Sequence, residues 1–254
     1  MTPRNIPIAG SRVSAAQGIL KAAIHSHRSN AATHFVEPAV FVTISRQPGA
    51  GGIPFAHRLA DELNRADGAQ WTAWDHELIE KVSSEYHIAH SILEMIEERP
   101  HSWLDDLLCN FSGSEEMPDA VELRAFKRVT TTIRALAEAG HAVIVGRGGV
   151  FITSQMSGGI HLRLVAPLER RIQNMAEFEH LSPHDAAARV KAIDRNRTSF
   201  VERFFPGKTI TPELFTMTLN SGDLSVDEMV ECTLPLIRSR QSLHRTLAST
   251  GAKP

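Results

Sequence analysis

The feature that most constrains the fold of this chain is a glycine cluster between an apolar run and a helical pattern. Residues 39–45 (AVFVTIS) are apolar and rich in β-branched side chains, which predicts a buried strand. Residues 49–52 (GAGG) follow closely, and Pro54 stands where the first turn of a helix tolerates proline. Apolar residues at helical spacing come next, namely Ala56, Leu59, Ala60 and Leu63. The predicted order is strand, glycine turn, helix.

A glycine turn in this position suits a phosphate group. Its backbone N–H groups are exposed, and the positive end of the following helix dipole faces whatever sits in the turn. Side chains larger than glycine would keep a phosphate away from the backbone. A plain tight turn is the alternative interpretation. We expect the cofactor ATP, or a similar polyphosphate, to bind at these four residues: Gly49, Ala50, Gly51 and Gly52.

The turn departs from the P-loop pattern G-x-x-x-x-G-K-[ST]. Aligned on Gly51, the chain has Arg46 at the first glycine, Gly52 at the lysine and Ile53 at the hydroxyl. The lysine that reaches the β- and γ-phosphates is therefore absent, and so is the hydroxyl that binds magnesium. Arg46 stands at the mouth of the same loop, and a guanidinium binds phosphate bidentately. We expect Arg46 to supply the missing cation.

Strands and helices alternate through the rest of the chain. Further strands are predicted at 70–75, 142–145, 160–166 and 215–220. Ser182 is predicted to cap a helix that begins at Pro183, and residues 225–228 (SVDE) form a capping box before the last helix. This alternation predicts an α/β fold with a mostly parallel sheet of five strands covered by helices on both faces. Ligands of such sheets lie beyond the carboxyl ends of the strands.

Two polar residues end predicted strands. Arg147 stands between Gly146 and Gly148 after a buried strand, where packing explains a charge poorly, so we expect it to hold the phosphate of an acceptor. Asp75 ends the second strand. It either orients the acceptor or a metal-bound water, or it caps the following helix, and the sequence leaves both interpretations open.

Basic residues also crowd the helical pattern that follows Pro183. Lys191, Arg195 and Arg203 share one face of that pattern, and Arg197 lies on a neighbouring face near Asp194. The helix is either a lid that closes over phosphates or a solvated charged face. The glycine loop upstream favours the lid, with Arg195 and Arg197 as catalytic candidates beside Arg46.

Composition narrows the class of function. The formal net charge is −2 and the sequence pI is about 6.7, which argues against general nucleic-acid binding. The two cysteines, Cys109 and Cys232, lie far apart and match no metal or redox spacing. No metal-binding histidine motif occurs, and no apolar run approaches a membrane span. These features predict a cytoplasmic protein with no membrane partner, and the glycine loop adds nucleotide substrates to that prediction.

Three stretches resemble the cytidylate kinase-like family, a branch of the nucleoside monophosphate kinases. Residues 44–52 (ISRQPGAGG) are similar to its S-R-x-x-G-S-G-G loop, and residues 143–149 (VIVGRGG) to its V-I-V-G-R-G motif. The third stretch runs from Ala187 through residues 191–197 (KAIDRNR) to residues 219–221 (LNS). The resemblance covers roughly residues 40 to 237 by the order of the motifs.

The resemblance implies a P-loop NTPase-like domain over residues 38–247, with a five-stranded parallel sheet. Residues 76–139 would be a helical insert that binds the nucleoside monophosphate (NMP), and residues 170–207 would contain the lid. Residues 1–37 would be an N-terminal extension and residues 248–254 a tail. The implied reaction moves the γ-phosphoryl group of ATP to CMP or dCMP, with Mg²⁺ for which the chain shows no clear protein ligand.

The chain also departs from the family at particular positions. Glycine in place of the loop lysine occurs in this branch, but Ile53 and Pro54 replace a pair that is often polar. Residues 145–148 (VGRG) replace the D-G-R-D of true cytidylate kinases, so both acids are missing. The leading hypothesis is an ATP-dependent NMP kinase-like enzyme. The alternatives are a nucleotide-binding regulatory module without catalysis, and a kinase for another small phosphate acceptor.

Overall fold

The computed structural model describes residues 40–67, 70–79 and 120–250. Its strands are β1 (Phe41–Arg46), β2 (Thr72–Trp74), β3 (Ala142–Val145), β4 (Gly159–Val165) and β5 (Met217–Asn220). Its helices are α1 (Gly52–Asp67), α2 (Ala120–Ala139), α3 (Gly149–Thr153), α4 (Leu168–Glu179), α5 (Pro183–Phe204) and α6 (Val226–Thr250). A 3₁₀ turn at Pro212–Leu214 precedes β5, and residues 76–79 are helical as well.

The five strands form one sheet in the order β2-β3-β1-β4-β5. Every neighbouring pair is parallel, with β1 in the centre between β3 and β4. The predicted fold class, a five-stranded parallel sheet flanked by helices, is confirmed. Because β1 and β3 are neighbours, the two glycine turns that follow them lie side by side at the carboxyl edge of the sheet.

Alternate side chains of the central strands pack into two different hydrophobic cores, one on each face of the sheet. Val42, Ile44 and Val143 pack on the face covered by α1 and α6, where the predicted helical positions of α1 are all buried. Phe41 and Ile144 pack on the opposite face against α2, α3 and the end of α5. β1 and β3 are thus buried on both sides over most of their length, as expected for the centre of a parallel sheet.

The predicted helix starts are confirmed by their hydrogen bonds. Ser182 Oγ accepts from the backbone N–H of Asp185 at 3.2 Å, with Pro183 at the first helical position. Ser225 and Glu228 form the capping box. The Ser225 N–H donates to Glu228 Oε2 at 2.8 Å, and the Glu228 N–H donates to Ser225 Oγ at 3.3 Å.

The predicted subdivision of the chain is only partly covered by the described residues. Residues 1–37 and most of 76–139 lie outside them, but the last part of that second range forms α2, which packs on the sheet. The predicted lid, residues 170–207, contains most of α4 and all of α5. These two helices pack on each other around a small separate core of Met175, Ala186 and Val190. Among the helices described, none has the length and apolar character to cross a membrane.

Candidate functional site

The glycine loop begins where β1 ends, and its first residues are tied to β4. The Gln47 N–H donates to the Leu164 carbonyl at 3.0 Å, and Gln47 Oε1 accepts from the Ala166 N–H at 3.0 Å. The Ala50 N–H then donates to the Gln47 carbonyl at 3.2 Å and closes a turn. Gly51 has φ +71°, in the left-handed region that glycine adopts readily. The loop is therefore held in one conformation before helix α1 starts.

Helix α1 opens directly onto this loop. The Phe55 N–H donates to the Gly51 carbonyl at 3.1 Å, so Gly51 is the residue before the first helical turn. The N–H groups of Gly52 and Ile53 belong to that first turn, where a helix offers them no acceptor of its own. A Cβ built on Gly51 would have no heavy atom within 4 Å. The loop thus presents backbone donors and a helix dipole to an open space, which fits a phosphate.

The side chain of Arg46 crosses from this loop to the second glycine turn. Its carbons lie over Gly52, where an added Cβ would be 2.8 Å from Arg46 Cγ. Its guanidinium lies over Gly146, where an added Cβ would be 1.7 Å from Arg46 Nη1. Any residue with a Cβ at either position would displace the arginine.

Three arginines converge at this point. Burial lowers the pKa of Arg46 to about 9, and the guanidinium groups of Arg197 and Arg147 lower it as well, whereas Asp75 opposes them. Burial also lowers the pKa of Arg197, with Asp194 opposing the shift and Arg147 adding to it. Arg147 has φ +53°, which is uncommon for a residue with a side chain. The positive charges outnumber the carboxylates beside them.

A cleft of about 170 Å³ opens next to the three arginines. The end of β1 and the turn after β3 form its floor, and α5 forms a wall. Its charged and aromatic lining residues are Arg46, Arg147, Arg163, Asp194, Arg197, Phe151 and Phe200. The cleft therefore combines a strongly cationic end with apolar surface, in the position where α/β sheets bind ligands.

Side chains from α4 and α5 fasten these helices to the loop. Asn174 Nδ2 donates to the Gly49 carbonyl at 2.8 Å, and Arg197 Nη1 donates to the Arg46 carbonyl at 2.8 Å. Arg171 joins the two helices, because its Nη1 donates to Asp194 Oδ2 at 2.8 Å while its Nε donates to the Ala166 carbonyl at 3.1 Å. The predicted lid is thus docked on the glycine loop.

The sequence model of the cytidylate kinase-like family matches residues 41–223, more than two thirds of the chain. The chain belongs to the cytidylate kinase-like family. The matched range contains the glycine loop and both helices of the predicted lid, and it includes the end of β1, the turn at Arg147 and the part of α5 that lines the cleft. Family membership supports a kinase-like, nucleotide-binding protein.

Two solved structures match this cytidylate kinase-like protein over most of its length. An uncharacterized protein from Eubacterium ventriosum is 20% identical, and the match covers 79% of this chain and 98% of that one with a TM-score of 0.59. A shikimate kinase from Bacteroides thetaiotaomicron is 13% identical, with 78% and 98% covered and a TM-score of 0.45. At 20% identity the likeness to the first of these structures concerns the fold alone.

One curated protein is related at lower coverage. A uronate isomerase from Corynebacterium glutamicum is 21% identical over 154 residues, which is 59% of this chain and 29% of the relative. The cytidylate kinase-like chain thus spans less than a third of the length of that relative.

The structure of this cytidylate kinase-like protein brings together most of the residues singled out from the sequence. Arg46, Arg147 and Arg197 meet at the cleft beside the loop, and Asp75 is close enough to influence the pKa of Arg46. Asp75 also caps a helix, because its Oδ1 accepts from the Leu78 N–H at 2.9 Å. Both interpretations of Asp75 are therefore compatible with its position.

Arg195 does not join this group. It is exposed on α5 and does not line the cleft. Lys191 is also exposed, and Arg203 forms an ion pair with Glu122 at the surface. The face that carries these three residues is a solvated one, whereas Arg197 continues the apolar stripe of α5. That stripe consists of Ala186, Val190, Ile193, Phe200 and Phe204, and a charge at its helical spacing was the signal that distinguishes Arg197 from Arg195.

Arg163 is a cleft residue that the sequence analysis missed. Its Nη1 donates to Ser45 Oγ at 3.1 Å, burial lowers its pKa, and Asp194 opposes the shift. The signal was an alternation within β4, where His161 and Arg163 interrupt an otherwise apolar strand. In a strand expected to be buried on both faces, such alternation indicates a face that lines a site.

Proposed function

We propose that this protein is a phosphotransferase that moves the γ-phosphoryl group of ATP to a phosphate-bearing acceptor, a nucleoside monophosphate such as CMP or dCMP. The observation that carries the proposal is the convergence of Arg46, Arg147 and Arg197 beside the glycine loop. Phosphoryl transfer needs alignment of two phosphates and positive charge around the moving group, and little covalent chemistry from the protein.

The charge cluster is unfavourable without an anion. Burial and repulsion from Arg197 and Arg147 lower the pKa of Arg46 to about 9, and the Asp75 carboxylate opposes this shift only in part. A buried charge of this kind destabilises a protein unless something compensates it. Phosphate groups would supply that compensation for Arg46, which favours an anion-binding role for the cluster.

The glycine turn after β1 binds the phosphate donor, and the turn after β3 binds the acceptor. The polyphosphate of the donor lies against residues 49–52, where the N–H groups of Gly52 and Ile53 face it. The phosphate of the acceptor is held by Arg147 at the end of β3. The apolar side chains of Phe151 and Phe200 line the same cleft and offer a surface for the acceptor's ring.

In the reaction, an oxygen of the acceptor phosphate forms a bond to the γ-phosphorus. The bond from that phosphorus to the oxygen bridging it to the β-phosphate breaks, and ADP leaves. Arg46 and Arg197 stay protonated throughout and stabilise the negative charge on the moving group, while α4 and α5 exclude water from it.

The described side chains fit a protein-held metal ion poorly. Across residues 40–67, 70–79 and 120–250, no three acidic, histidine or cysteine side chains form a metal-binding group, and Ile53 replaces the hydroxyl of the P-loop pattern. Mg²⁺ would therefore be held mainly by the donor's phosphate oxygens and water, as it commonly is with nucleotides.

A regulatory module that binds nucleotide without turning it over is the second candidate. The absence of both the loop lysine and the loop hydroxyl, at Gly52 and Ile53, favours it. The same cluster of arginines would then sense a bound phosphate through the contacts that hold α5 to the loop.

A screen of nucleoside monophosphates with ATP and Mg²⁺, following ADP formation, tests the proposal. Direct ATP binding is measured in parallel by calorimetry. ADP formation that depends on CMP or dCMP supports the kinase, and dependence on a different phosphate acceptor reassigns its substrate. ATP binding without turnover for any acceptor favours the regulatory module. Absence of ATP binding contradicts both.

A further inference from the structure

We propose that the cation and a glycine have exchanged positions in this phosphate loop. Arg46 takes the role of the loop lysine, and Gly52 and Gly146 leave the space that its side chain fills, which we call the slot. The inference rests on the proposed function and deepens it. In the P-loop pattern a glycine opens the loop and a lysine closes it. Here the arginine opens the loop and the glycine closes it.

The first half of the slot is Gly52. A Cβ there would lie 2.8 Å from Cγ, 3.1 Å from Cβ and 3.4 Å from Cδ of Arg46. The stem of the arginine therefore runs through the space that the first carbon of a lysine side chain would occupy. An arginine in this conformation at 46 and a lysine at 52 exclude each other, which explains why the lysine is replaced by the one residue without a side chain.

The second half of the slot is Gly146. The guanidinium of Arg46 lies against it, with Nη1 at 1.7 Å and Cζ at 2.7 Å from the position of an added Cβ. Gly146 precedes Arg147, the residue proposed to hold the acceptor phosphate. The head of Arg46 thus lies between the donor loop and the acceptor turn. It is placed to contact the phosphoryl group in transit more than the donor at rest.

Helix α5 also holds the backbone of Arg46 in position. Arg197 Nη1 donates to the Arg46 carbonyl at 2.8 Å, so α5 positions the residue whose side chain fills the slot. The low pKa of Arg46 agrees with a cation held in place by packing rather than by an ion pair. Arg197 is in this respect a positioning residue for Arg46, in addition to any contact of its own with phosphate.

The slot can be tested without any catalysis, through thermal stability. Gly52→Ala and Gly146→Ala should each lower the melting temperature of the wild-type protein, because the added methyl displaces Arg46. In an Arg46→Ala background each substitution should lower it by less, although Gly146→Ala keeps the backbone strain of its φ of +83° in both backgrounds. Gly149→Ala is the matched control. Its Cβ would meet only Thr43 and Ile144 at ordinary distances of 3.5 and 3.7 Å, so its effect should be equal in both backgrounds. Equal losses for Gly52→Ala and Gly146→Ala with and without Arg46 would overturn the slot.

Moving the cation from position 46 to position 52 tests the exchange itself. Arg46→Ala should lower kcat by about 10²-fold or more, while the Kd for ATP changes less than tenfold. An arginine that stabilises phosphoryl transfer can contribute about 10³–10⁵ in rate, so even a partial role is measurable. Gly52→Lys alone should also lower kcat, and the double variant Arg46→Gly with Gly52→Lys should exceed Gly52→Lys in kcat. Binding of inorganic tripolyphosphate, measured by calorimetry, should follow the same order for the two lysine variants.

The outcomes separate this inference from the proposed function. Near-normal turnover of Arg46→Ala overturns the exchange and leaves the kinase intact. Absence of turnover in the wild-type protein, together with the predicted stability and tripolyphosphate results, rejects the kinase and retains the exchanged cation. A double variant that binds tripolyphosphate no better than Gly52→Lys alone contradicts the exchange in either case.

Discussion

Arg197 Nη1 donates a hydrogen bond of 2.8 Å to the main-chain carbonyl of Arg46, although 151 positions separate the two residues in the chain. This contact joins the helix of the predicted lid to the first residue of the glycine loop. Since Arg46 and Arg197 are both partly buried cations, the contact also draws two like charges together. A fold maintains such an arrangement at a cost in stability, and a bound polyanion would offset that cost.

This contact leads to a prediction about the two arginines of α5. Arg197→Ala should lower kcat by at least about tenfold, because it removes a cleft cation and releases the loop. Arg195→Ala should change kcat by much less, since its side chain is exposed outside the cleft. Steady-state kinetics of the two variants, with melting temperatures to confirm folding, decide between them. A larger effect of Arg195→Ala would restore it as the catalytic residue and displace Arg197.

Replacing Arg147 should weaken binding of the acceptor and leave binding of ATP nearly unchanged. Arg147→Ala should raise the KM for the acceptor, or lower kcat/KM, by about 10–10³-fold, as expected for a lost charge-assisted contact. ATP affinity should stay within a few-fold of wild type. Arg238→Ala, which removes an exposed arginine from α6, is the control for the loss of one positive charge. If ATP binding falls and acceptor kinetics do not, the donor and acceptor sites are reversed.

Gly51→Ala should obstruct the phosphates at the loop while the fold persists. The added methyl meets no protein atom within 4 Å, so it occupies the space assigned to the ligand. Gly207→Ala is a matched control. Gly207 has φ +72° against +71° for Gly51, and its Cβ would also lie in open space. Both variants should lose about 1–2 kcal/mol of stability from backbone strain. Only Gly51→Ala should raise the Kd for ATP by about tenfold or more, and equal affinities in the two variants would exclude the site.

The charge of Arg46 should lower the stability of the ligand-free protein in a pH-dependent way. Arg46→Met keeps an unbranched stem over Gly52 without the charge, so its melting temperature at pH 7 should exceed that of wild type, with a gain of roughly 1–3 kcal/mol. The pKa of Arg46 is about 9 in the folded protein and higher in the unfolded chain. Above pH 9 the unfolded state therefore binds more protons than the folded state, and wild-type stability rises relative to the variant.

The advantage of Arg46→Met should accordingly shrink as the pH is raised from 8 to 10. Thermal unfolding of both proteins across this range measures it. An advantage that is constant with pH would show that Arg46 keeps its proton throughout, and a lower melting temperature of the variant at pH 7 would show that the charge is already compensated.

Sequence patterns predicted the local elements well because these depend on neighbours within one or two turns of the chain. The glycine turn after β1 and the capping box at Ser225 and Glu228 are both of this kind, and both are found where expected. β2 and β5 are shorter than predicted, since strand ends depend on where the partner strand stops pairing. The roles assigned to Arg46, Arg147 and Arg197 stay predictions until the variants are measured.

The tertiary packing of α5 decides which of its arginines faces the cleft. Residues two apart, such as Arg195 and Arg197, lie about 200° apart around a helix axis, so only one of them can face the sheet. The choice is made downstream, where Phe200 and Phe204 pack against Phe126 with ring centroids 6.3 and 4.5 Å apart. The prediction grouped Lys191, Arg195 and Arg203 by their spacing and did not use the apolar stripe that Arg197 continues.

By itself, the sequence determined the family, the parallel sheet and the position of a phosphate loop without its lysine, because each is encoded in contiguous residues or in the order of motifs. Tertiary structure alone decided that the side chain of Arg46 lies across Gly52 and reaches Gly146. That contact exists because β1 pairs with β3, which brings together two turns about a hundred residues apart. No local pattern contains this adjacency, and the slot proposed for Arg46 depends on it.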